Sequence, residues 1–190
     1  MVVGVLAFQG DFEEHMEVLR LMGVPCIEVR NLRDLAKVDR LIIPGGESTV
    51  MAKFLERTGV GVEIKKRVAK TSKHSLVVFG TCAGAIVIAR KATGKNAPRP
   101  LGLIDIEIDR NAYGTQIDSF EATLKICGIK QPVPVAFIRA PKITRTGKRV
   151  EVLASYNGDP VLVRQGRVLA ATFHTEIRGD WRLHEMFLTF

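Results

Sequence analysis

The segment SLVVFGTCAGAIVIA, residues 75–89, sets a cysteine on a turn between two apolar runs. Leu76 to Phe79 is short, apolar and ends at glycine, the pattern of a buried strand. The apolar stretch after Gly84 reads as a helix. A residue at the tip of so tight a strand-to-helix turn has a strained backbone and requires small neighbours. Gly80 and Gly84 supply them in Gly80-Thr81-Cys82-Ala83-Gly84, a G-x-C-x-G elbow. The helix N-terminus then faces the sulfur, which favours thiolate, and the Ala83 N–H is placed to serve as an oxyanion donor. Taken alone, five residues fit a buried structural thiol equally well.

Working outward, the same alternation recurs. Val2 to Phe8 is a continuous apolar run, as in a strand covered on both faces. Gly10-Asp11 breaks it, and Phe12, Met16, Leu19 and Met22 follow at helical spacing. Cys26 to Val29 and Leu41 to Ile43 read as short strands, the second ending in Pro44-Gly45-Gly46, with helices predicted over about 49–57 and 61–71. Short connections between alternating strands and helices imply a parallel sheet covered on both sides. Beyond residue 100 the pattern changes. Leu103 to Ile108 alternates apolar and acidic residues, and Val150 to Tyr156, Val161 to Arg164 and Val168 to Phe173 form a meander joined by Asn157-Gly158 and Gln165-Gly166. RLHEMFLTF suits a closing helix. The expected fold is α/β: one mixed, mainly parallel central sheet with helices on both faces, in a single domain over residues 1–190. Its ligand belongs at the carboxyl ends of the parallel strands, where Pro44-Gly45-Gly46 and Cys82 fall.

Bulk properties exclude several functions. The chain has 190 residues, 46% hydrophobic and 25% charged, enough to bury roughly 70% of its unfolded surface. Eight apolar N-terminal residues without a basic flank match neither a signal peptide nor a membrane span. Cys26, Cys82 and Cys127 are too few and too scattered for a disulfide framework or a CxxC metal site, so no metal is expected and the location is expected to be cytoplasmic. The net charge of +8 raises nucleic acid as a partner. Val60, Ile64 and Val68, however, make the Lys65-Lys66-Arg67 cluster the wet face of a helix, and base-stacking aromatics are not interleaved with it.

A cysteine nucleophile requires a base and a group that orients the base. His15 and His184 fall in predicted helices, His15 as a helix-edge residue, and His74 precedes a strand. His174 ends the apolar LAATF run, and Glu176 follows two residues later, on the same side of an extended segment. The candidate triad is therefore Cys82, His174 and Glu176. In PGGEST, residues 44–49, two glycines free the backbone to turn N–H groups toward an oxyanion, and Ser48 or Thr49 suits a helix N-cap. Arg110 and Arg139 are cations near loops that can pair with a substrate carboxylate.

This order of Cys, His and Glu on a mixed α/β sheet resembles the triad, or class I, glutamine amidotransferases. Within them the chain is similar to the glutaminase subunits of pyridoxal 5′-phosphate synthases. The segments LAFQGDFEEH, PGGEST, GTCAGAI, LGLIDIEIDRNAYGTQIDSFE, FIRAP and ATFHTE carry the resemblance, across residues 6 to 176. It implies a flavodoxin-like fold, no cofactor, and a cytoplasmic hetero-oligomer with a synthase subunit, bound to neither nucleic acid nor membrane. It further implies that L-glutamine binds with its amide at Cys82, its oxyanion at Gly46 and Ala83, and its α-amino and carboxylate groups near Gly46, Glu47, Ser48, Arg110, Ile138 and Arg139. Ammonia from the glutamine amide then passes to the synthase for vitamin B6 biosynthesis. Ile86 and Ala83 depart from other amidotransferases and from the peptidase branch respectively. Thr175 stands where the family usually has proline, which implies a less rigid base. The alternatives are an amidotransferase of another pathway and a stand-alone cysteine hydrolase.

Overall fold

A computed structural model describes residues 1–71, 75–110 and 119–190. His74 and the centre of the RNAYG…DSFE block, residues 111–118, lie outside the described residues. The elements in chain order are β1 (Val3–Leu6), α1 (Phe12–Leu21), β2 (Cys26–Val29), α2 (Leu32–Leu35), β3 (Arg40–Ile43), α3 (Ser48–Arg57), α4 (Val60–Ala69), β4 (Val77–Thr81) and α5 (Ala83–Ile88). After them come β5 (Ala89–Thr93), β6 (Ile104–Asp109), β7 (Phe120–Leu124), β8 (Val133–Phe137), β9 (Lys142–Thr146), β10 (Glu151–Tyr156), β11 (Asp159–Gln165), β12 (Val168–Ala171) and α6 (Arg182–Leu188).

Among the described residues, seven strands form the central sheet in the order β10-β11-β12-β4-β3-β1-β2. β2, β1, β3, β4 and β12 run parallel, and β11 and β10 close one edge as an antiparallel meander. Alternation along each strand divides the core. Leu41, Ile43 and Val78 face one side, with α3, α4 and α5. Ile42, Val77 and Phe79 face the other, with α1 and α6. Both faces are dry, which is why these strands read as unbroken apolar runs. Phe79 has no exposed surface, and full burial of such a side chain contributes about 1.5–3 kcal/mol. No helix among the described residues is long and apolar enough to cross a membrane.

Two smaller sheets stand beside the central one, β5-β6-β9 and the hairpin β7-β8, where the sequence leads one to expect a single mixed sheet. The helix after Cys82 is short and gives way to β5 at Ala89. The N–H groups of Leu101, Gly102 and Leu103 donate to the carbonyls of Val87, Ala89 and Ile88, so tertiary pairing overrides the local pattern. Arg67 also departs from expectation. It is buried, and its guanidinium donates to the Leu35 and Val38 carbonyls, closing α2 against α4.

Candidate active site

Cys82 sits between β4 and α5 with φ 48° and ψ −106°, a strained conformation for a residue with a Cβ. Several contacts hold it there. Its N–H donates to the Ala171 carbonyl at 2.8 Å, which ties the elbow to β12. A Cβ at Gly80 would lie 2.7 Å from Ile88 Cδ1, and one at Gly84 would overlap the Ile43 carbonyl at the end of β3. Glycine is therefore required on both sides of the elbow. Ala83 opens α5, so its N–H has no intrahelical acceptor. The Cys82 thiol lies 3.8 Å from the Ile138 carbonyl.

His174 follows β12 and exchanges backbone hydrogen bonds with Ala136 of β8. Its imidazole interacts with Cys82 on one side, and its Nδ1 lies 2.5 Å from Glu176 Oε1 on the other. Burial alone would drive this imidazole neutral. The hydrogen bonds and negative charge of Cys82 and Glu176 outweigh burial and raise its pKa from 6.5 to about 10. Burial likewise opposes ionisation of Glu176, yet its pKa falls from 4.5 to about 2. His15 and His174 supply the opposing pull on that carboxylate. Because burial pushes His15 itself toward the neutral form, the charged partner is His174, and His15 acts as a neutral dipole.

The i, i+2 pairing predicted for an extended segment does form, by a different route. Thr175 has φ −110° and ψ −29°, and Glu176 opens a 3-10 turn over Glu176–Arg178. The chain bends rather than pleats, and the bend brings the carboxylate under the ring. Thr175 also changes what its position does. Its N–H donates to Glu176 Oε2 at 2.9 Å, a bond for which proline has no donor. The loss of proline's fixed φ is thus accompanied by an added tether on the acid.

Pro44-Gly45-Gly46 lies against this group. A Cβ at Gly45 would be 2.5 Å from Asp11 Oδ2 and 2.6 Å from His174 Cε1, and Gly46 has φ 125°. Gln9 clamps the loop: its Oε1 accepts from the Glu47 N–H at 3.1 Å, and its Nε2 donates to the Glu47 carbonyl at 3.2 Å. Burial raises the Asp11 carboxyl pKa, and the His174 charge opposes it. The N-cap of α3 is Glu47 rather than Ser48 or Thr49. Glu47 Oε1 accepts from the Thr49 N–H and hydroxyl and from Arg110 Nη2 at 3.1 Å. The Thr49 bonds, followed by Arg110, hold the Glu47 carboxyl below its usual range. Arg110, mostly buried at its side chain, also donates to the Asn96 carbonyl at 2.8 Å. Ser48 is buried with no hydrogen-bond partner for its hydroxyl among the described residues, while Ile138 and Arg139 are exposed, the latter at φ 45°.

Sequence reasoning thus finds Cys82, His174, Glu176 and the glycine loop, which the fold brings together, and a paired Glu47 and Arg110 beside them. It misses Gln9, Asp11 and His15. His15 is no helix-edge residue: it is fully buried, with Nε2 3.4 Å from Glu176 Oε1. The signal was present, since Val18 and Leu19 place His15 on the inward face of α1.

The profile of the SNO glutamine amidotransferase family matches residues 5–190. The chain is 48% identical over 187 residues to the pyridoxal 5′-phosphate synthase subunit PdxT of Thermus thermophilus, covering 98% of this chain and 96% of that one. It is 46% identical over 189 residues to the PdxT of Thermotoga petrophila, covering 99% and 98%. A crystal structure of a glutamine amidotransferase superposes with a TM-score of 0.93 at 46% identity, over 100% of this chain and 98% of that one. The PurLQS structure of Thermotoga maritima, at 16% identity and a TM-score of 0.73, shares the fold. The chain belongs to the SNO glutamine amidotransferase family.

Proposed function

We propose that this chain, as one domain over residues 1–190, is the glutaminase subunit of a pyridoxal 5′-phosphate synthase. It hydrolyses L-glutamine to L-glutamate and ammonia and supplies the ammonia to a synthase subunit in the cytoplasm. One observation carries the chemistry: a buried imidazole joins a thiol on a strained elbow to a buried carboxylate.

In this reading the proton of the Cys82–His174 pair rests on His174, whose pKa is raised to about 10, and the sulfur attacks the glutamine amide carbon. The developing oxyanion takes N–H donors from Ala83 and Gly46. His174 then protonates the amide nitrogen, which leaves as ammonia, and the γ-glutamyl thioester remains on Cys82. Water attacks the thioester as His174 accepts its proton, and glutamate departs. Glu176 orients the ring and stabilises the imidazolium. Gly46, Glu47, Ser48, Arg110, Ile138 and Arg139 hold the α-amino and carboxylate ends. The full-length PdxT relatives support the synthase as partner.

The isolated chain should be a poor glutaminase, because ammonia without an acceptor is lost. The peptide between Gly45 and Gly46 can change orientation at little steric cost. The Gln9 clamp offers a lever on it: synthase docking near residues 6–15 would shift the loop and aim an N–H at the oxyanion. The test is amide-¹⁵N glutamine turned over in excess unlabelled ammonium, with and without the synthase subunit. Turnover should rise with the synthase, and the label should enter the product undiluted. Full activity of the lone chain, or dilution to the bulk isotope ratio, would contradict the proposal.

A further inference from the structure

His15 of α1 lies behind the triad, fully buried, and touches three separate elements. Its Nε2 is 3.1 Å from Thr81 Oγ1, on the residue preceding Cys82, and 3.4 Å from Glu176 Oε1. Its Nδ1 is 2.9 Å from His184 Nε2 on α6. The other titratable groups whose charge reaches this ring are His174, Asp11 and Glu14, and Phe79 contributes an aromatic edge.

The contacts select one tautomer. If Nδ1 carried the proton, His15 would turn the lone pair of Nε2 toward the Glu176 carboxylate. The same choice would make His184 Nε2 an acceptor, leaving a proton on His184 Nδ1, which is buried with no partner among the described residues. An orphaned donor and a lone pair facing an anion both carry large penalties. With the proton on Nε2, His15 points an N–H at Thr81 Oγ1 with Glu176 Oε1 3.4 Å away, and Nδ1 accepts from His184. The remaining orphan is an unprotonated nitrogen, the cheaper one to bury. Burial keeps both histidines neutral, which preserves this order.

We infer that His15 is a positioning residue of the reaction: its Nε2–H braces the Glu176 carboxylate from the side opposite the Thr175 N–H, with His184 fixing the tautomer. Glu176 then has donors on both oxygens. Oε1 faces His174 Nδ1 and His15, and Oε2 accepts from Thr175 at 2.9 Å. A carboxylate held in this way cannot rotate off His174, so the imidazole stays aimed at Cys82. Because His15 also holds Thr81, one side chain couples the acid to the elbow. His15 does not touch the substrate, so its effect belongs in kcat rather than KM.

This inference rests on the Cys82–His174–Glu176 assignment above. The test compares His15→Gln, whose amide reaches the Nε2 position, with His15→Asn, whose amide reaches only the Nδ1 position. Glutamine turnover is measured with the synthase subunit present, and iodoacetamide alkylation of Cys82 with the isolated chain. His15→Asn should lower kcat and slow alkylation about tenfold or more, with KM within about twofold, while His15→Gln recovers most of both. Each variant loses one bonding arm, so their melting temperatures should fall together. On the unaltered protein, ¹⁵N NMR of the His15 ring should show the proton on Nε2, a readout that survives poor folding of either variant. A proton on Nδ1, unchanged kcat in His15→Asn, or equal losses in the two variants would overturn the inference. A Cys82→Ser protein that still hydrolyses glutamine would break the triad assignment instead, and the two failures are thereby told apart.

Discussion

Charge is handled in opposite ways at two places in this molecule. At the carboxyl ends of the parallel strands, Glu176 and His174 are buried, each held by several partners, beside a cysteine at φ 48°. On the β5-β6-β9 sheet, Asp105 receives Arg90 and Arg145, and Glu107 receives Arg145 and Lys91, all in contact with solvent. Both regions contain acid–base clusters with displaced pKa values. Only the first couples them to a strained backbone and a nucleophile. A displaced pKa marks a reactive site when desolvation and geometry act with it, and marks a surface ion-pair network when they do not.

The largest effect that could break this contrast is at the triad. Cys82→Ala should abolish glutaminase activity. His174→Asn should lower kcat by roughly 10³–10⁴, since the leaving ammonia then lacks a proton donor. Glu176→Gln should retain a measurable rate. Steady-state glutamate release checks all three, and turnover within about tenfold in His174→Asn would identify a different base. Arg110→Ala comes next. Its guanidinium is held by Glu47 and the Asn96 carbonyl, and in the proposed role of pairing with the substrate carboxylate its loss should raise KM about tenfold or more with kcat nearly kept.

Acid sensitivity sharpens the comparison further. His15 and His184 are buried, and burial lowers both pKa values, that of His184 to about 3. A histidine whose folded pKa is depressed contributes stability above its ordinary 6.5 that is lost as pH falls toward the folded value. The unfolding free energy from urea titrations should therefore fall below pH 6.5, His184 contributing up to about 1.4 kcal/mol per pH unit and His15 acting in the same direction. His184→Gln should flatten the slope by one such increment. The smallest effect belongs to the exposed network. Asp105→Asn should leave activity unchanged, and any loss in melting temperature should shrink as salt is added.

How much of this was legible in the sequence follows from how local each cause is. The elbow was readable because Gly80 and Gly84 sit within two residues of Cys82 and exclude larger side chains there. The parallel core was readable because strands dry on both faces leave continuous apolar runs. His174 and Glu176 were readable as a pair, although a 3-10 bend rather than a strand pleat unites them. β5 was not readable, since it depends on pairing with β6 and on carbonyls claimed by residues 101–103. His15 and Arg67 share another cause. Helical spacing reports the face a residue occupies but not its depth, and both polar heads are satisfied inside by partners far away in the chain.

The central claim is that Cys82, alone among three free thiols, is the nucleophile toward glutamine. The most direct measurement treats the chain, with its synthase subunit, with a glutamine-mimicking alkylator and maps the labelled peptides by mass spectrometry. Label on Cys82 only, suppressed by excess glutamine and matched by loss of turnover, is the predicted result. Label on Cys26 or Cys127, or full turnover after Cys82 is blocked, would contradict it.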